Sequence, residues 1–380
     1  MKSTVNFTLP AAPRILVRGT NWLGDAVMTT PALLRLREKF PGAQITLLTP
    51  EKLQELWPEH PAVDEVIPFA ADQSVWETAG QIRALHHAPG RRHFDAALVL
   101  PNSPRSALEV RLARIPLRVG CARPWRNWFL TQAIAPRPEA VTMRKRSVDE
   151  IKKLISAPPA AKARPPASAH QLHEYLHLAA ALGANPEPVP PQLFVRPAEV
   201  DAARKKFGLE KIAGPIFGLN PGAEYGPAKR WPADKFIAVA REIQERTRCT
   251  WLIFGGPADT GIAHRIESAI PSPPTAMWNV AGKTSLRELM ALLKLCRLLL
   301  TNDSGPMHVA AALGTPVVVP FGSTSSELTG PGLPGALRHH VIQSDVPCNP
   351  CFLRECPIDL RCQNGISVER VTEAVLRTLR

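Results

Sequence analysis

The chain is 380 residues long, enough for two domains of common size, and its 45% hydrophobic and 21% charged residues exclude a disordered polymer. No apolar run approaches the roughly 18 residues needed to span a bilayer, and MKSTVNFTLPAAPRILV lacks the apolar core of a secretory signal. A cytoplasmic location is therefore expected, with the seven cysteines as reduced thiols or metal ligands rather than disulfides. Of the net charge of +13, residues 101–164 carry +10, from 14 Lys+Arg against 4 Asp+Glu. Such a face suits an anionic partner, whether nucleic acid, an anionic membrane surface or a polyanionic substrate, unless it is simply solvated.

Strand-like runs alternate with helical patterns in both halves, which predicts parallel α/β sheets. In the first half RILV (14–17) leads through GTNWLGD into a helical pattern, and ITLLT (45–49), EVIPF (65–69), FDAALVLP (94–101) and RVGCA (118–122) follow. Residues 130–170 are poor in aromatics and rich in Pro, Ala and Lys/Arg, which predicts a mobile basic loop. An amphipathic helix over 170–184 and a proline-stiffened hinge at 185–192 come next. The second half repeats the scheme with PIFGLNPG (215–222), TWLIFGG (250–256), WNVAG (278–282), RLLLTND (297–303) and PVVVPFG (316–322). Helical patterns at 232–247, 286–296 and 304–313 lie between them, and ISVERVTEAVLRTLR closes the chain as an amphipathic helix. The fold class is α/β, two doubly wound sheets, with ligands at the C-terminal ends of the strands.

Four segments carry candidate chemistry. In GTNWLGDAVMTTPAL (19–33), Gly19 and Gly24 flank a turn after the first strand, and Asp25 stands at a helix start, as a general base or as a helix cap. No GK[ST] and no third glycine complete a nucleotide fingerprint there. In LNPGAEYGPAKRWPADKF (219–236), Lys229 and Arg230 sit near a strand end, where they can neutralise a diphosphate or face solvent. TNDSGPMHVAAALGTP (301–316) gathers Asp303, Ser304, Gly305 and His308 between a strand and a helix, a combination suited to phosphate, although Asp303 or Ser304 alone would serve as a cap. Finally, Cys348, Cys351, Cys356 and Cys362 follow a C-x2-C-x4-C-x5-C spacing that can close around Zn²⁺ or an iron–sulfur cluster, or form a redox-sensitive or structural loop.

GTNWLGDAVMTTPAL, VLPNSPRSAL (99–108), NPGAEYGPAKRWP and TNDSGPMHVAAALGTP occur in the order seen in bacterial lipopolysaccharide heptosyltransferases, glycosyltransferase family 9. Over about residues 14–330 the chain resembles that family, its type II members above all. The resemblance implies a GT-B fold, two Rossmann-like domains facing a central cleft. It implies an acceptor-binding domain over 1–184, an ADP-sugar-binding domain over 193–365 with the Cys-rich loop 348–362, and a final helix over 366–380 that packs on the first domain. The implied reaction is inverting transfer of heptose from ADP-L-glycero-D-manno-heptose to the lipopolysaccharide inner core, with heptosyl-Kdo-lipid A as acceptor. No catalytic cofactor or nucleic acid is expected, and any metal at the cysteines would be structural.

By the same resemblance Asp25 matches the catalytic base, Lys229 the lysine on donor phosphate, and Asp303, Ser304, Gly305 and His308 the donor loop, while Thr284 falls where the family contacts adenine. Arg230 is a further donor-side candidate, and Asn102, Ser103, Arg105, Arg118 and Arg123 are the acceptor-side candidates, suited to Kdo carboxylates and lipid phosphates. The acceptor also implies peripheral contact with the cytoplasmic face of the inner membrane. Two alternatives remain: a related family transferase with another sugar or acceptor, such as heptosyltransferase I, and, from another class, a zinc-containing nucleic-acid-binding protein.

Overall fold

The computed structural model describes residues 8–87, 90, 92–157, 164–270 and 277–379. The chain forms two compact units, residues 1–140 with 171–189, and residues 141–170 with 190–380. The third crossing between them falls inside the proline-rich stretch 185–192.

The first unit is built on strands β1 (Arg14–Arg18), β2 (Gln44–Pro50), β3 (Glu65–Phe69), β4 (Ala96–Val99), β5 (Leu117–Cys121) and β6 (Gln132–Ile134), all parallel, in the order β3-β2-β1-β4-β5-β6. Helices α1 (Leu23–Met28), α2 (Thr30–Lys39), α3 (Val75–His86) and α4 (Pro104–Leu112) make the crossovers. The central strands are fully buried, as a parallel sheet covered on both faces requires, which is why they read as continuous apolar runs.

After β6 the chain enters the second unit as α5 (Val148–Ser156), returns to the first as α6 (Leu172–Ala180), packed on α2, and leaves again. The stretch 130–170 is thus no single loop. Its start pairs as β6 with β5, and α5 buries Ile151 beside Cys348 and Cys351. Both features escaped sequence reading because QAI is too short to show a period and the partners of α5 lie some 200 residues away.

The second unit repeats the first. Helix α7 (Pro197–Lys206) leads into β7 (Ile216–Asn220), α8 (Ala233–Thr247), β8 (Thr250–Ile253), α9 (Thr260–Ala269), β9 (Met277–Asn279), α10 (Leu286–Leu295), β10 (Leu299–Thr301), α11 (Gly305–Ala312), β11 (Val317–Phe321), α12 (Ser326–Thr329) and β12 (His340–Gln343). Its order β12-β11-β10-β7-β8-β9 is, from the other end, the same three-two-one-four-five-six pattern. Helices α13 (Arg361–Asn364) and α14 (Val368–Thr378) finish the chain. The last helix buries Val371, Ala374 and Val375 in the core shared with α8, so its own unit takes up its apolar face.

Trp251 is fully buried in that core, edge-on to Phe217, with its indole N–H donated to the Ala240 carbonyl at 3.0 Å. Trp251→Ala should lower the stability of the second unit by about 3–5 kcal/mol, read as an earlier urea transition.

Candidate active site

In both sheets the strand order reverses between the first and fourth strands, so the helices after those strands leave on opposite faces and open a crevice at the strand ends. The segments singled out by sequence lie at these two switch points. In the first unit Asp25 follows β1, and Asn102, Ser103 and Arg105 follow β4. In the second, Lys229 and Arg230 follow β7, and Asp303 to His308 follow β10.

Asp25 lies in the first turn of α1 and is half-buried. Gln171 donates one amide hydrogen to its Oδ1 at 3.3 Å and another to the Tyr175 hydroxyl at 2.8 Å. Tyr175 is buried, and desolvation, followed by the Asp25 charge, keeps its phenol protonated well above the usual range. Neither Gln171 nor Tyr175 was legible as a site residue, since their part depends on α6 returning to the first unit. Beneath this loop Arg18 and Glu109 form a buried ion pair at 2.9 Å, and Arg18 also donates to the Gly19 carbonyl and, at 3.0 Å, to Asn21 Oδ1. The turn that presents Asp25 is thereby held from below.

The acceptor-side candidates divide. Arg123 is exposed at the end of β5, and Asn102 is exposed with its Oδ1 accepting from Arg126 at 3.4 Å. Ser103 caps α4 by accepting the Ser106 N–H at 3.2 Å, and Arg105 is tied to Glu109 at 2.9 Å and to the Gln73 carbonyl. Arg118 corrects the expectation: its guanidinium donates to the carbonyls of Phe129, Ile115 and Pro116, so it braces the start of β5 and has little left for a ligand. Sequence could not show this because the direction of that side chain decides it.

In the second unit Lys229 Nζ meets Asp303 Oδ2 at 2.6 Å, both largely shielded from solvent, and Thr324 donates its hydroxyl to the same carboxylate oxygen. Asp303 is therefore an orienting partner of the lysine rather than a helix cap. Ser304 occupies the N-cap of α11 yet makes no side-chain cap bond; its hydroxyl instead accepts from Asn220 Nδ2 at 3.1 Å. That leaves the positive end of the helix without the side-chain cap that would compete with an anion. Asn302 joins the two loops, accepting the Trp231 N–H at 3.0 Å and donating to the Pro221 carbonyl at 2.7 Å. Arg230 lies 3.7 Å from Asp259 and donates to the Ala223 carbonyl at 3.3 Å. Thr284, half-buried, precedes α10 in the turn that follows β9.

The Cys-rich loop shoulders this site. Ala228 donates its N–H to the Arg354 carbonyl at 2.9 Å, the Tyr225 hydroxyl donates to the Phe352 carbonyl at 2.7 Å, and Gln363 donates to the Ala228 carbonyl at 3.2 Å. Gly226 has φ +150°, and a Cβ there would stand 2.5 Å from the Arg354 carbonyl, so only glycine lets the two loops close. Tyr225 in turn carries Lys229 Nζ 4.9 Å from its ring centre.

A metal at the cysteines is not supported. Cys348, Cys351 and Cys362 are buried thiols, and burial, with the neighbouring thiols adding to it, raises their pKa, that of Cys362 to about 12. Four thiolates around zinc need sulfurs under about 4 Å apart, given Zn–S near 2.3 Å, whereas no three of these sulfurs lie within 4.8 Å of one another. Among the described residues that distance is met by ring nitrogens of His86, His87 and His93. There the His86 Nδ1 lone pair already accepts the Phe94 N–H at 2.9 Å, which places the proton of a neutral ring on Nε2 and removes it as a ligand.

The chain as a whole matches a known group of proteins. The pattern of glycosyltransferase family 9 (heptosyltransferase) covers residues 141–361. Lipopolysaccharide heptosyltransferase 2 of Salmonella typhimurium is 33% identical over 84% of this chain and 85% of its own length. The chain belongs to glycosyltransferase family 9. The protein of the same name from Escherichia coli is also 33% identical over 84% of the chain. The structure of E. coli ADP-heptose lps heptosyltransferase II superposes with a TM-score of 0.76 at 28% identity, covering 96% of this chain and 98% of that one. The two Rossmann-like units are those of the GT-B fold, and this family member is a glycosyltransferase. The zinc-containing nucleic-acid-binding alternative is set aside accordingly.

His308 is buried, and desolvation, opposed by Asp303 and reinforced by His170 and Lys229, pushes its imidazole down to about 4. The folded protein therefore binds fewer protons than the unfolded chain between the ordinary value of 6.5 and about 4, and stability falls as pH drops through that window. His308→Gln should remove up to about 3 kcal/mol of that loss at pH 4, seen as a flatter profile of urea midpoint against pH.

Proposed function

We propose that the protein is a lipopolysaccharide heptosyltransferase of the type II kind, moving heptose from ADP-L-glycero-D-manno-heptose onto a heptosyl-Kdo-lipid A inner core. The Lys229–Asp303 pair at the uncapped start of α11 carries this reading, because it is an anion site built for a diphosphate at the switch point of a nucleotide-binding sheet. The names of the relatives supply the sugar and the acceptor class.

In this reading Asp25 takes the proton of the acceptor hydroxyl. The freed oxygen forms a bond to the anomeric carbon from the face opposite the diphosphate, the anomeric C–O bond breaks, and its electron pair leaves with ADP. Lys229, Arg230 and the helix start at Ser304 and Gly305 stabilise the charge that develops on the departing phosphate. Asp303 fixes the lysine, His308 stays neutral at neutral pH and adds no competing charge, and Thr284 serves the adenine. Gln171 holds the Asp25 carboxylate in place. Asn102, Ser103, Arg105 and Arg123 serve the carboxylates and phosphates of the acceptor, and peripheral contact with the anionic inner-membrane surface brings the enzyme to its lipid. No step calls for a metal.

Asp25→Ala should abolish transfer and leave ADP affinity nearly unchanged by calorimetry; normal transfer by that variant would overturn the base assignment. Lys229→Ala should weaken ADP binding about 10- to 100-fold, the loss of a charge-assisted bond worth about 1.5–3 kcal/mol. Transfer, read as product mass, should persist in a chelator. Product from Kdo-lipid A that lacks heptose, in place of the heptosylated core, would redirect the assignment to heptosyltransferase I.

A further inference from the structure

Tryptophan is highly buried on average, yet four of the eight in this chain stand in water: Trp22 is 43% exposed, Trp76 68%, Trp125 80% and Trp128 74%. Three of them share one edge of the first sheet. Trp22 follows the end of β1, Trp76 follows β3 within the first turn of α3, and Trp125 follows β5. Strands run parallel, so all three segments emerge at the C-terminal edge that also presents Asp25. Trp125 has φ +65°, a left-handed conformation strained for a residue with a side chain, and its indole stands largely in solvent. Trp128 lies further along the same connection, its carbonyl accepting from Arg111 at 3.2 Å.

We propose that this edge is the surface by which the enzyme sits on the bilayer interface, a reading that rests on the acceptor being lipid-borne. The spacing selects the occupant. From β3 to β5 the order β3-β2-β1-β4-β5 contains four strand intervals, which spreads the segments that carry the indoles over roughly 19 Å, a line of aromatic contacts rather than one closed pocket. An extended interface meets them together, and indoles, apolar with one polar N–H, settle at the headgroup level. The charge along the edge is nearly balanced, Lys52, Arg105, Arg123 and Arg126 against Asp25, Glu51, Glu55, Asp72 and Glu77. Attachment through this edge is therefore driven by aromatic burial more than by Coulomb attraction.

The test is sedimentation of the full chain with vesicles of phosphatidylcholine alone and with added phosphatidylglycerol. The protein should bind both, and should stay bound at about 1 M salt, where charges are screened within about 3 Å. Trp76→Ser with Trp125→Ser should lower partitioning by about tenfold or more, while Trp128→Ser alone should not. Brominated lipids should quench the wild-type tryptophan fluorescence, a readout that needs no variant. With acceptor in vesicles the double variant should transfer more slowly, yet match wild type on a deacylated, water-soluble acceptor.

Vesicle binding equal to wild type in the double variant, the same loss from Trp128→Ser, or absence of quenching would overturn the docking edge. An equal fall on the water-soluble acceptor would do so as well, making the indoles part of sugar recognition. Vesicle binding by a chain that transfers no heptose to either acceptor would sink the transferase reading and leave the docking edge standing.

Discussion

Parallel strand pairing is the constraint on which everything else in this protein depends. A parallel neighbour can be reached only by a crossover, and crossovers keep one hand, so a sheet that grows outward from β1 in both directions must send its helices to opposite faces. The gap this leaves at the strand ends is where a ligand reaches main-chain amides and helix N-termini without displacing the core. Both units obey the constraint in the same order, and in both the polar segments of interest follow the first and fourth strands.

Two unlike sites result from one topology. In the first unit the switch point carries a carboxylate held by Gln171 over a buried Arg18–Glu109 pair. In the second it carries a lysine held by a carboxylate beside an uncapped helix start. The division suits a transfer reaction, in which one partner must lose a proton and the other must lose an anion. Around the second site the backbone carbonyls of Phe352 and Arg354 clamp the lysine loop directly. The Cys-rich loop thus acts through its main chain, and Cys348 and Cys351 through packing against Ile151.

The ten strands read from the sequence are runs such as ILV, ITLL, AALV and VVV, apolar on both faces because both faces are covered. The two it missed, QAI and HVIQ, lie at the ends of the sheets, are short and are only partly buried, so neither a run nor a period marks them. Of the site residues, Asp25, Lys229 and the 301–308 segment were legible because each stands between an apolar run and a helical pattern. Gln171, Tyr175, Thr324 and Tyr225 were not, since each acts through a contact with a residue far along the chain.

What the sequence by itself determined is the alternation of buried strands and amphipathic helices, hence the doubly wound class, and the motifs that mark the family. Those are properties of local pattern, and local pattern survives in a linear string. What only the tertiary structure decided is allegiance and direction. It gave residues 141–170 to the second unit and the last helix to its own core, pointed Arg118 at three carbonyls, and set Asp303 to hold Lys229 rather than cap a helix. It also brought three tryptophans distant in sequence to one sheet edge. The physical reason is that side-chain pairing and burial depend on which strand ends lie together, and strand order is fixed by long-range hydrogen bonding that no short window of sequence contains.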